Sequence, residues 1–288
     1  MTAFAPAPGA AGLPKLALAA ADGARAEVYL HGAHVTSWIP ADGGAERLFL
    51  SVHSRFGPGE AIRGGIPVCF PQFAAQGPLP NHGFARVSAW EMVRAERTGT
   101  GAAQAVLRLA GSPATRTHWP HAFALELAVT VTGRTLALAL TVTNPGTVPF
   151  EFTGALHTYF RVADVRRATV RGLRDARYRD KVLGTDDNLE TAAELAFDRQ
   201  IDRVYYAAPD DLVAHEPGRS VAVCATGFPD TVVWNPGPQR GATLGDLEPD
   251  GSLRMLCVEA AVARAPVRVG AGGEWRGTQT LTADPGGA

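Results

Sequence analysis

Hydrophobic and polar residues alternate along most of this chain with a period of two, the repeat of a strand that buries one face. The pattern is clearest where Phe123, Leu125, Leu127, Val129 and Val131 fall on one side. It resumes after Thr132-Gly133-Arg134 with Leu136, Leu138, Leu140 and Val142, which predicts a hairpin. Further hairpins are predicted around Glu216-Pro217-Gly218-Arg219 and around Ala271-Gly272-Gly273-Glu274. Helical spacing is scarce. The 32 glycines and 21 prolines are spread along the chain instead of being gathered in a linker, as many short strands with many turns require. No repeat of constant period points to a propeller or solenoid. The pattern therefore predicts an all-β antiparallel sandwich, a single domain over residues 1–288, with function on the concave face or rim of one sheet.

Composition narrows the partners. Lysine plus arginine number 27 and aspartate plus glutamate 28, so a net charge of -1 gives no bulk attraction to nucleic acid or an anionic membrane. Any anion must be met by local charges. The opening MTAFAPAPGAAGLPKLALAA lacks a basic region ahead of its apolar residues, and prolines and Lys15 interrupt it. Residues 1–14 are expected to be a flexible leader. No stretch approaches the ~18 apolar residues that cross a bilayer as a helix. Cys69, Cys224 and Cys257 are widely spaced without a CxxC pair, consistent with reduced thiols and a cytoplasmic location. Nothing marks an exposed apolar interface, and a monomer is expected.

Several segments combine polar residues with glycine, proline and aromatics beyond what strands and turns need. In Ala61-Ile62-Arg63-Gly64-Gly65-Ile66-Pro67 the glycines let the backbone bend closely and the proline stiffens the exit, holding Arg63 on a rigid platform. Asn81-His82-Gly83-Phe84-Ala85-Arg86 supplies a second cationic loop. Two guanidiniums converging would clamp a phosphate dianion, although each alone reads as a surface arginine beside a turn. No GxxxxGK[ST] loop offers a nucleotide-type cradle. His157 stands among small and aromatic residues, a setting that suits a structural histidine as well as a functional one. Glu259 closes the apolar run Met255-Leu256-Cys257-Val258, where a buried carboxylate needs a salt bridge, a proton or a ligand hydroxyl. Asp202 and Arg203 read either as a solvated surface pair or as substrate contacts, and Trp234 either as core or as a stacking face for a sugar. The pairs His31/His34 and His118/His121 have a spacing that suits a helix, not a strand, and no neighbouring HExxH pattern; no metal is expected. Neither a GxSxG elbow nor a strand-linked GxGxxG is present.

Taken in order, AIRGGIPVCFPQF, NHGFAR, GALHTYF, IDRVY, VVWNP and MLCVEA resemble the hexose-6-phosphate mutarotases, or glucose-6-phosphate 1-epimerases, of the aldose 1-epimerase superfamily. The resemblance runs from about His31 to near the C-terminus. It implies a galactose-mutarotase-like β-supersandwich, an isomerase without a cofactor, and a hexose phosphate as the small-molecule partner. By motif, His157 resembles the general acid and Glu259 the general base. Arg63 and Arg86 resemble arginines that bind substrate and phosphate, and Asp202 a carboxylate that binds substrate. Asn81 stands where similar enzymes often carry glutamine before HG, a shorter amide that needs water to reach the same group. Two other readings use the same residues: a mutarotase for unphosphorylated aldoses, indifferent to Arg63 and Arg86, and a carbohydrate-binding or sugar-sensing protein that uses them for affinity alone.

Overall fold

The computed structural model describes residues 3–41, 44–207, 209 and 211–284. The predicted alternation becomes the strands Ala124–Thr132 and Thr135–Thr143, paired throughout and joined at Gly133, whose φ of 55° suits the tight turn. Leu125, Leu127, Val129, Leu136, Leu138 and Val142 are fully buried, while the threonines and alanines between them stay partly exposed. This hairpin belongs to an antiparallel nine-stranded sheet, as does the second predicted hairpin, Asp211–Glu216 with Arg219–Thr226.

An eight-stranded sheet packs against it. Its strands are Val68–Cys69 (β1), Phe150–Leu156 (β2), Tyr159–Arg161 (β3), Arg177–Asp180 (β4), Thr185–Leu189 (β5), Ile201–Tyr206 (β6), Asp230–Asn235 (β7) and Met255–Val269 (β8). They run in the order β5-β4-β6-β7-β8-β2-β1, with β3 also on β8. The shared core lies between the sheets, where Leu156, Val233, Val258, Ala260 and Val262 join the leucines of the hairpin. Because side chains alternate across a strand, Cys257, Glu259 and Ala261 of β8 point to the other face. There they adjoin two smaller apolar clusters, one holding Val204, Val232 and Ala261, the other Phe49, Tyr159 and Cys257.

The third predicted hairpin takes a different form. The turn at 271–274 links β8 to Glu274–Ala283, but these strands do not pair. β7 holds one edge of β8 over residues 257–261, and β2 and β3 hold the other. Glu274–Ala283 finds its partners in the facing sheet, between Arg219–Thr226 and Thr135–Thr143. A glycine-rich turn marks a reversal without saying whether the next strand stays in the same sheet.

Met1 and Thr2 of the expected leader lie outside the described residues. Onward from Ala3 the segment is laid along strands: Phe4 donates its N–H to the Ala95 carbonyl, Ala7–Pro8 pair with Pro14 and Lys15, and Ala10 donates to the Tyr29 hydroxyl. Helix among the described residues is short, as at Pro113–His118 and Gly237–Gly241, and no helix is long and apolar enough to cross a membrane.

Candidate active site

The centre of the site is set by strand register. β2 pairs with β8 up to Leu156 opposite Ala260, and β3 resumes with Tyr159 opposite Cys257. The register is the same on both sides of the gap, so His157 stands opposite Glu259 although the ladder is interrupted there. The His157 N–H turns instead to the Pro67 carbonyl, and Val258 donates to Thr158. Directly opposed side chains on one sheet face are close neighbours, and His157 Nε2 lies 3.3 Å from Glu259 Oε1. The lattice continues outward: Val232 is opposite Glu259 and Trp234 opposite Cys257, then Val204 opposite Val232 and Asp202 opposite Trp234. Two adjacent rows thus run across the sheet, Val204-Val232-Glu259-His157 and Asp202-Trp234-Cys257-Tyr159, and Val232, Glu259, His157, Asp202 and Trp234 among them line a cleft.

Loops supply the walls. At Gly64 (φ 114°) and Gly65 (φ 60°), a Cβ would fall 2.3 Å from the Phe49 carbonyl oxygen and 2.2 Å from that of Val35, so only glycine allows this close approach. The bend fixes Arg63, whose Nη1 donates to the Tyr159 hydroxyl at 3.0 Å and whose Nη2 pairs with Asp246 at 3.0 Å. Tyr159 in turn stacks flat on the His157 ring, with centroids 4.7 Å apart, and Trp234 meets both rings edge-on. His82 lies 5.3 Å from His157, ring centre to ring centre. Its Nδ1 accepts the Ala74 N–H, which leaves Nε2 as the donor of a neutral imidazole. Burial, followed by the charges of Arg86, Lys181 and Arg63, holds its pKa well below the ordinary histidine value.

Burial also governs the central pair. It raises the Glu259 carboxyl well above the usual carboxylate range, with the Asp202 charge adding to the effect. It lowers His157 well below 6.5, assisted by His82, Arg86 and Arg63. Desolvation disfavours either group as an isolated charge. Both are almost wholly buried, and His157 Nδ1 and Glu259 Oε2 have no hydrogen-bond partner among the described residues. Unpaired polar atoms are costly in such a place unless a bound molecule completes them.

The residues singled out in the sequence come together, with one exception. Arg63, Asn81, His82, His157, Asp202, Trp234 and Glu259 line one cleft of about 640 Å³, counted to its open mouth. Arg86 does not line it: its Nη2 donates to the Asn81 carbonyl at 2.8 Å, and its charge reaches His82 and His157 from behind. Asp202 and Arg203 are no surface pair. They point to opposite faces of β6, Asp202 to Lys181 at 3.1 Å and Arg203 to buried Asp180 and Glu190. Lys181 and Arg240 also line the cleft and carry no local signal in the sequence. Lys181 arrives there because its N–H bonds the Asp202 carbonyl as the chain leaves β4. His31 and His34 each direct Nε2 to a backbone carbonyl, those of Glu60 and Gly64, and burial pushes His34 down to about 3.

The pattern of the family described as Aldose 1-epimerase matches residues 14–282, which include every site residue named above. The chain belongs to the aldose 1-epimerase family. A relative from Cenchrus ciliaris, named "Putative glucose-6-phosphate 1-epimerase", is 38% identical over 284 residues, 95% of this chain and 86% of its own. An Escherichia coli K12 relative of the same name is 40% identical over 249 residues, covering 85% of this chain and 82% of its own. The crystal structure of a Salmonella typhimurium protein, titled "putative mutarotase (YeaD)", superposes with a TM-score of 0.89 at 33% identity, over 98% of this chain and 93% of that one. The family's antiparallel β-rich mutarotase fold is thus the fold expected from the sequence motifs.

Proposed function

We propose that this epimerase interconverts the α and β anomers of a hexose 6-phosphate, most directly glucose 6-phosphate, by opening and reclosing the sugar ring. The observation that carries the reading is the cross-strand contact between His157 and Glu259 on the floor of a polar cleft, each with a second polar atom unspent. Ring opening requires a proton to leave the anomeric hydroxyl while the ring oxygen gains one as the C1–O5 bond breaks. The His157–Glu259 pair with one proton provides one acid and one base. Charged or neutral, the pair has the same proton count, and so burial penalises separation of charge without depriving it of either role. In the productive form Glu259 takes the O1 proton and His157 donates to O5. Rotation about C1–C2 presents the other aldehyde face, and reclosure reverses both transfers. Each transfer is worth roughly 10²–10⁴-fold in rate.

The open chain must be held while its C1 end turns. Asp202, Asn81 and the Nε2–H of His82 face the hydroxyls from the cleft lining, and Trp234 offers an apolar ring face. Phosphate recognition is supported by the relatives' names and by local charge: Arg63, Lys181 and Arg240 line the cleft, and Arg86 stands behind it. The Nε–H groups of Arg63 and Arg86 have no acceptor among the described residues. Magnetisation-transfer NMR of α/β exchange, run on glucose 6-phosphate and on free glucose, tests this assignment. His157→Ala and Glu259→Gln should each abolish most exchange; undiminished exchange in both sinks the acid/base assignment. Arg63→Ala combined with Arg86→Ala should slow the phosphate ester selectively, whereas equal losses for both sugars would point to a mutarotase of unphosphorylated aldoses.

A further inference from the structure

The lattice that places His157 opposite Glu259 also puts Cys257 beside them. Cys257 is two residues before Glu259 on the same face of β8, opposite Tyr159. A ring nitrogen of His157, the Cys257 sulfur and a carboxylate oxygen of Glu259 all lie within 4.8 Å of one another, and all three residues are buried. We propose that these residues form an inhibitory site for a soft divalent cation of the zinc class, which captures the acid and the base together.

The geometry needs little adjustment. Bonds of about 2.0 Å to nitrogen and oxygen at tetrahedral angles imply a nitrogen–oxygen edge near 3.3 Å, and the observed His157–Glu259 separation is 3.3 Å. With a sulfur bond of about 2.3 Å the sulfur edges are about 3.5 Å, so the sulfur, within 4.8 Å of the other two atoms, needs to close in by at most about 1.3 Å. The fourth position opens to the cleft that His157 and Glu259 line, and there a water or a sugar oxygen can serve. Binding releases the thiol proton and the proton shared by the pair to solvent, so no oxidant or other reactant is needed. A thiolate-imidazole-carboxylate set selects zinc, cadmium or cobalt over magnesium and calcium, which prefer oxygen ligands alone. Lys181 and Arg63 oppose a cation here, whereas Asp202 favours one. The spacing of histidines in the sequence could not reveal this set, because its members meet only through the register of β8 with β2 and β3.

The test loads the intact, metal-free chain with cobalt chloride and follows its spectrum, a readout independent of the anomerisation on which the word inhibitory rests. One cobalt per chain with a thiolate-to-cobalt charge-transfer band is expected. Cys257→Ser should abolish the band, and Glu259→Gln, which keeps the thiol, should weaken cobalt uptake at least tenfold. A band retained in Cys257→Ser, or uptake undiminished in Glu259→Gln, overturns the site even if one variant folds poorly. Zinc chloride should then halve the exchange of glucose 6-phosphate at a concentration at least tenfold lower in wild type than in Cys257→Ser, each against its own metal-free rate. Equal inhibition of the two proteins, or equal potency of magnesium chloride, rejects inhibition through this set while leaving the epimerase reading untouched.

Discussion

The two large sheets are built on the same strand lattice but use their outer faces differently. In the nine-stranded sheet Ala124–Thr132 buries every second side chain and leaves the others partly exposed. In the eight-stranded sheet β8 is buried without interruption from Met255 to Ala263, one face against the core and the other beneath the cleft. A strand that meets water on one side needs only apolar residues at alternate positions. A strand covered on both sides reads as a continuous apolar run, and any polar residue within it must be partnered or functional. Glu259 is that residue. On the proposed reading, stability and chemistry are divided between the faces of one sheet, and substitutions should separate them.

The sharpest separation is expected from Glu259→Gln, which should reduce exchange by about 10²–10⁴-fold with no loss of folding stability. The sign follows from linkage. A carboxyl raised above its usual 4.5 by burial holds its proton more tightly folded than unfolded, and so it lowers stability as pH rises from 4.5 through the raised value. Glutamine removes that cost. The melting temperature of the variant should match wild type below pH 4.5 and exceed it by a growing margin above, as scanning calorimetry across pH can check. The mirror image is Leu138→Ala on the nine-stranded sheet, fully buried in the core. It should cost about 2–5 kcal/mol in denaturant unfolding and leave the exchange rate of the folded enzyme unchanged. A large rate loss there would mean that the sheets are not separable.

The smallest effect should come from the bridge between the sheets. Gln279, fully buried on Glu274–Ala283, accepts from the Thr158 hydroxyl at 2.6 Å and donates to the Val258 carbonyl at 3.3 Å, immediately behind the His157–Glu259 pair. Gln279→Leu strands the Thr158 hydroxyl, for about 1–3 kcal/mol of stability. A fall of a few fold in kcat with KM unchanged is expected alongside. Unchanged kcat would show that the bridge supports the fold alone.

The sequence was most readable where one face meets solvent. Phe123 to Val142 announced two strands and their turn because water forces alternation, and the same logic found the hairpin at Glu216–Arg219. The turn at 271–274 misled because its glycines encode a reversal, whereas Glu274–Ala283 takes its partners from the facing sheet. The leader carries little strand signal in its prolines and alanines, and in the fold Phe4 packs against the core while Ala7–Pro8 pair with Pro14 and Lys15. His157 and Glu259 each suggested function, but their contact depends on register across distant strands, and only the ordered motifs joined them. Lys181 and Arg240 were invisible, since an exposed cation at the end of a strand or in a short helix looks the same whether or not a cleft lies beside it.

The continuous register across the break between β2 and β3 has a further consequence. Around Glu259, β8 lies between β7 and the strands β2 and β3, and exchange of its amides should approach the free energy of global unfolding. The separation of His157 and Glu259 is therefore set by the sheet's repeat together with the Pro67 carbonyl that holds the His157 N–H. Heat should leave the enzyme competent until the fold itself gives way, so the temperature that silences catalysis and the temperature that melts the protein should coincide.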